Sequence, residues 1–235
     1  MQQRSKTEYG KIGPWTADTI MKAENDAVNP QIKVGDTAPE FVMALAERNP
    51  RLESLFLTIY SPKPGAHERL GDFENKPAAE IVSHFLHHDN HTNKHVQVSA
   101  TDLTVEIISE RFADLPSNLA VGLESRCIFR DALVRYIPMM DFKLNQSTGN
   151  LKLLKEFLER LEYKGIIVDS GASYHFYGFD FFDHVQWVKF MGECLLVPWS
   201  DSRWIGHSLT AGSGDLRISA TDLKPKLPVV CEVLR

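Results

Sequence analysis

The sequence predicts an α+β member of the α/β class: a mixed, largely antiparallel sheet with flanking helices packed against it. Short apolar runs rich in β-branched and aromatic residues, such as Leu55–Tyr60 and Gly165–Val168, alternate with longer stretches of helical periodicity. Proline and glycine punctuate them at Asn49–Pro50, Gly171 and Gly212–Gly214. A chain of 235 residues, 43% hydrophobic and 24% charged, is long enough to bury a core and ordinary in composition.

Several function classes are disfavoured by composition. The longest apolar runs, Phe41–Ala46 and Cys194–Trp199, are too short to span a bilayer. No apolar segment follows the basic residues near Met1, so a signal peptide and a membrane role are not expected. Cys127, Cys194 and Cys231 are odd in number and widely spaced, which argues against a disulfide framework or zinc knuckle and for a reducing, cytoplasmic location. A formal charge of −5 argues against a uniformly basic nucleic-acid binder and leaves room for a local basic groove.

Residues 1–37 are polar and turn-rich and read as an N-terminal extension with a short helix at Thr16–Asp26; the main domain is expected over 38–235. A helix from Ala38 to Arg48 stops at Asn49–Pro50, and Leu55–Tyr60 is a strand. Residues 77–88 read as a helix carrying His84, His87 and His88, with His91 and His95 beyond. His84 and His88 share a helical face, as two metal ligands would, but without an HExxH pattern a solvated polar face is the better reading. A strand at Val96–Val98 precedes a helix from Asp102 to Phe112, capped by Ser99 or Thr101. Strand signals follow at Leu119–Leu123 and Ile128–Phe129, then a buried-strand run, Ala132–Met140, ending in Asp141. Helices are expected at Asn150–Lys164, with Gly165 as C-cap, and at Phe182–Val197, with Asp183 as N-cap.

The stretch from Ser170 to Gly178 reads as a turn at Gly171 entering a strand. Its period of two puts Ser173, His175 and Tyr177 on one face, with Tyr174 and Phe176 on the other. A hydroxyl and an imidazole two residues apart form a donor pair suited to a phosphate oxygen; alternatively the histidine is a hydrogen-bonded member of a half-buried strand. Asp141 emerges where an apolar strand ends, a placement that fixes direction while leaving the end open, though it also suits a turn. Asp201, within Trp199–Arg203, is either a second site acid or a local partner of Arg203. His207 and Arg217 follow, the latter in a strand Asp215–Ser219.

In this order the residues resemble the catalytic core of the archaeo-eukaryotic primase (primase-polymerase) superfamily, over about residues 132–219. Asp141 corresponds to the first acid of its motif I, Ser173 and His175 to the Ser-x-His motif II, and Asp201 to motif III. Arg203, His207 and Arg217 fall where that superfamily tends to carry downstream polar contacts. The chain looks like the small one-domain primase-like proteins of bacterial genomes. What the resemblance implies is a primase-polymerase-like nucleotidyltransferase of replication or repair, binding nucleoside triphosphates and single-stranded or primed nucleic acid. Mg²⁺ or Mn²⁺ would sit on Asp141 and Asp201; Asp141, Asp201 and His175 would be catalytic; Ser173, His175, Lys143, Arg203, His207 and Arg217 would hold nucleotide.

One residue departs from the pattern: Lys143 stands where motif I has its second acid. A cation there competes with a metal, or takes its place as a fixed charge on phosphate. Two further readings therefore stay open. One is a catalytically inactive primase-like module that binds nucleotide or nucleic acid. The other is a histidine-dependent RNA phosphodiesterase, prompted by His207-Ser-Leu-Thr210, although His175-Phe-Tyr lacks the hydroxyl that a second half-site needs.

Overall fold

A computed structural model describes residues 31–62, 77 and 94–235. The expected helix at Thr16–Asp26, the helix over 77–88 (Pro77 apart) and His84, His87, His88 and His91 lie outside the described residues. The elements in order are α1 (Ala38–Glu47), β1 (Leu52–Tyr60), β2 (Lys94–Ser99), α2 (Val105–Ala113), β3 (Ala120–Phe129), β4 (Val134–Tyr136) and β5 (Met139–Phe142). They continue with α3 (Thr148–Arg160), β6 (Gly165–Asp169), β7 (Tyr174–Gly178), α4 (His184–Leu195), α5 (Ser202–Ala211), β8 (Asp215–Arg217) and β9 (Val229–Leu234). The α+β class is as expected, and the described strands divide between two sheets whose pairings are all antiparallel.

The first sheet has the order β2-β1-β3-β4, with β8 pairing to β3 beyond the end of β4. Its apolar face (Leu55, Leu57, Val98, Val121, Leu123 and Leu216) packs with Phe41, Val42 and Leu45 of α1 and Ile108 of α2. The alternate residues Thr58, Gly122 and Arg217 line up across three strands on the opposite, polar face. The second sheet, β5-β7-β6-β9, is buried on both faces. Tyr177 and Val168 join the first core, where the Phe41 and Tyr177 rings lie 5.1 Å apart. Phe176 and Ile167 face a second core built from Leu154 and Leu158 of α3, Trp187, Phe190 and Met191 of α4, and Ile205 of α5. A strand buried on both sides reads as a near-continuous apolar run, which Gly165–Val168 is.

Several boundaries differ from expectation for local reasons. The α2 helix begins later, because buried Leu103 holds extended backbone and Thr104 takes over the cap, accepting from Ile107 N at 3.2 Å. The run Ala132–Met140 is not one buried strand. Ala132 has φ 61°, Leu133 and Val134 are exposed, and the chain crosses between sheets at Ile137–Pro138. The α3 helix stops at Arg160, with Glu162 in the left-handed position, so Gly165 is not its cap. Gly165 instead serves strand packing: a Cβ there would lie 2.9 Å from Gly178 Cα and closer still to the Tyr177 carbonyl. The α4 cap is as read: Asp183 accepts from Gln186 N at 2.8 Å, and Gln186 returns the bond to Asp183 N at 2.9 Å. Among the described residues no helix is long and apolar enough to cross a membrane.

Candidate functional site

Main-chain pairing brings the predicted acids and the histidine together. Asp141 and His175 are direct cross-strand partners in β5 and β7, so their side chains share a face. The link between α4 and α5 runs beside β5: Lys143 N donates to Trp199 O at 2.7 Å, and Asp201 N donates to Asp141 O at 2.9 Å. Asp201 thus sits next to Asp141 through backbone, not through side-chain contact. It is also the N-cap of α5, where its Oδ1 accepts from Arg203 N at 2.9 Å and Trp204 N at 3.0 Å. Asp201 therefore opens a helix, with Arg203 and His207 one turn apart on it, Arg203 Nε lying 3.4 Å from His207 Nε2.

Ser173 lies in the turn between β6 and β7, just ahead of the strand that carries His175. The turn is closed by bonds of 3.0 Å from Ser170 N and Ser170 Oγ to Ser173 O, and Gly171 takes φ +99° at its tip. The two serine hydroxyls lie 3.2 Å apart. Behind the turn is Arg217, 5% exposed. Its guanidinium donates to the carbonyls of Ser170 and Ser219, and to that of Lys226 at 3.3 Å. One buried cation thus ties the Ser-x-His turn to the loop between β8 and β9. That loop carries Lys224, whose charge acts on both Asp141 and His175.

The electrostatics follow from this crowding. Burial, and next the charge of Asp201, push the Asp141 carboxyl up to about 7, against the opposing pull of Lys224, Lys143 and Arg217. His175 is 4% exposed, and burial, Arg217 and Lys224 together hold its imidazole well below the ordinary histidine range. It is therefore neutral at pH 7, and its 3.7 Å approach to Asp141 Oδ1 is a contact with a neutral ring rather than an ion pair. The Lys143 ammonium lies 3.1 Å from Asp201 Oδ1, with the lysine side chain half exposed. Beneath Asp141, His175 Nδ1 and the Tyr177 hydroxyl are buried with no protein hydrogen-bond partner.

Some participants carry no local sequence signal. Glu124, 1% exposed in the middle of β3, approaches His95 Nδ1 at 3.0 Å and Arg126 Nε at 2.9 Å. Its neighbour Asp215 is pushed up to about 6 by burial and by the charge of Glu124, with His95 opposing. Glu124 pairs with Asp215 across β3 and β8, two positions from the pair Gly122–Arg217, so both acids continue the polar face on which Arg217 lies. The Ser170 hydroxyl and Lys224 likewise join the site only through the fold. No group of three or more histidine, cysteine, aspartate or glutamate side chains is arranged to hold a metal ion among the described residues.

A family model described as AEP-like, archaeo-eukaryotic primase 1D-like, matches residues 99–229, more than half of the chain. That span takes in Asp141, Lys143, Ser173, His175, Asp201, Arg203, His207 and Arg217. No curated protein and no solved structure matches the chain.

Two outcomes test this geometry. Asp141 is an acid whose folded value lies above its unfolded value, so its contribution to stability is complete below about pH 4 and is lost as pH rises through about 7. His175, shifted downward, acts oppositely, losing its contribution as pH falls below the ordinary histidine range. In urea unfolding at successive pH values, Asp141→Asn should gain on wild type steadily from about pH 4 to 7 and then level off. Replacing Arg217 by Met leaves buried carbonyls without donors and should cost about 3 kcal/mol. Hydrogen exchange should then accelerate at residues 170–173 and 219–226 ahead of the rest of the second sheet.

Proposed function

Because the chain belongs to the archaeo-eukaryotic primase 1D-like family, we propose that it binds nucleoside triphosphate beside Asp141 and acts on nucleic acid. The observation that carries this reading is the convergence of His175, Lys143 and Lys224 on the Asp141–Asp201 pair, with Ser173 two residues ahead of His175. Phosphate recognition requires donors and positive charge held in place beforehand, because reorganising them on binding costs affinity. Lys143 and Lys224 supply charge at the rim. Ser173 supplies a hydroxyl at the turn, and the neutral imidazole of His175 supplies a donor at the floor without the cost of a buried charge. Arg217 acts as a positioning residue, since its guanidinium already serves backbone carbonyls of the two flanking loops. Arg203 and His207, on the first two turns of α5, would meet nucleic acid or the distal phosphates at the outer edge.

This family usually works with divalent ions, which supply charge neutralisation to phosphoryl transfer. The residues of this chain do not fit a preformed two-carboxylate metal pair. Asp201 Oδ1 already serves two backbone amides and the Lys143 ammonium, so the cation beside the two acids is a side chain of this protein. The binding-module reading is therefore favoured. One observation keeps nucleotidyl transfer as a second reading: an acid poised at about 7 is matched to accepting a proton from an attacking hydroxyl. The phosphodiesterase reading loses its structural basis, because His207 and Thr210 lie on α5, not at a strand centre, and Thr210 Oγ1 donates to Gly206 O.

Calorimetric titration of ATP and dATP into wild type and His175→Ala should show binding that weakens about tenfold or more in the variant, the loss of one buried donor to phosphate. Thermal unfolding of both proteins separates this from misfolding, and absence of binding in wild type would remove the nucleotide reading. Primer extension on single-stranded templates distinguishes the two readings: the binding module yields no product, and transfer yields product that Asp141→Asn abolishes.

A further inference from the structure

The acids Asp141 and Asp201 carry their own counter-charge. Lys143 is fixed by its main chain, which pairs with Trp199 O at 2.7 Å, and its ammonium meets Asp201 Oδ1 at 3.1 Å. That oxygen also takes the Arg203 and Trp204 amides, so a metal ion there would have to displace one of three donors. The Lys143 side chain is half exposed, so its ammonium is open to solvent as well as to Asp201. The cations whose charge acts on Asp141 are Lys224, Lys143 and Arg217, and Lys143 also meets Asp201. A divalent ion would have to enter beside that ammonium, where like charges repel, whereas a polyphosphate anion is attracted to it.

We propose that the ammonium of Lys143 is the resident cation of this site, replacing a metal ion on Asp201, so that the chain takes nucleoside triphosphate without a divalent metal. The proposal rests on the nucleotide-binding reading above and adds the identity of the charge that meets the phosphates. Lysine suits the task as a compact point charge whose three donors divide between Asp201 and an incoming phosphate oxygen. Substituting an acid at this position would restore the paired carboxylates that a hard divalent ion requires.

The test uses the full chain and two probes. Mn²⁺ alone is titrated into wild type, Lys143→Asp and Lys143→Met, with the free-ion electron paramagnetic resonance signal as readout. ATP is titrated into the same proteins by calorimetry, once in excess EDTA and once with Mn²⁺. Wild type should leave the Mn²⁺ signal undiminished and bind ATP equally in both buffers, within about twofold. Lys143→Met should weaken metal-free ATP binding about tenfold. Lys143→Asp should take up Mn²⁺ and bind ATP only with it. Mn²⁺ uptake by wild type without nucleotide, or ATP binding to wild type that requires Mn²⁺, overturns the proposal while leaving the nucleotide reading intact. Failure of wild type to bind ATP in either buffer overturns both. Should Lys143→Asp not fold, as judged by thermal unfolding, the wild-type and Lys143→Met titrations decide.

Discussion

A guanidinium with almost no access to water must find acceptors inside the protein, and Arg217 finds them in main-chain carbonyls. Those acceptors belong to two loops far apart in sequence, one after β6 and one after β8. The arginine itself belongs to the first sheet, so a single side chain registers that sheet against the turn that feeds β7. Everything chemically notable in the second sheet then inherits its position. Ser173 sits where the clamped turn leaves it, His175 follows two residues later, and Asp141 lies opposite His175 because the strands pair. The charge of Arg217 also acts at a distance, opposing the upward shift of Asp141 and deepening the downward shift of His175.

Features with a short-range cause were legible before any coordinates. Asp183 followed three residues later by Gln186 specifies a capped helix, and proline after Asn49 ends another. The Gly171 turn with its Ser-x-His continuation is likewise written locally. What stayed hidden depends on partners remote in sequence. Nothing around Arg217 indicates that its acceptor is Ser170, 47 positions away, so it reads as one more downstream cation. Glu124 is buried in the middle of its strand, and only the pairing with His95 and Arg126 accounts for it. Asp201 carried a cap signal of its own, but the glycine at 206 masked the helix that follows. The strand β9, with β-branched residues at 229, 230 and 233, also had a local signature, and the partner β6 that organises it lies more than sixty residues earlier.

Neutral and charged groups around Asp141 play different parts. A buried neutral imidazole under a carboxyl poised near neutrality forms a floor whose protonation responds to what lies above it. The lysines at the rim serve as fixed electrostatics. This division follows from depth alone: the strand-borne groups are desolvated by the two cores, whereas Lys143 lies past the end of β5, where solvent returns.

The bond from Asp201 N to Asp141 O has one more implication. The separation of the two acids is set by peptide groups, which no side-chain replacement at neighbouring positions removes. Residue 143 hangs from the same backbone pairing, directly over the gap. The side chain at 143 can therefore change the charge beside the acids while the main chain that spaces them stays as it is.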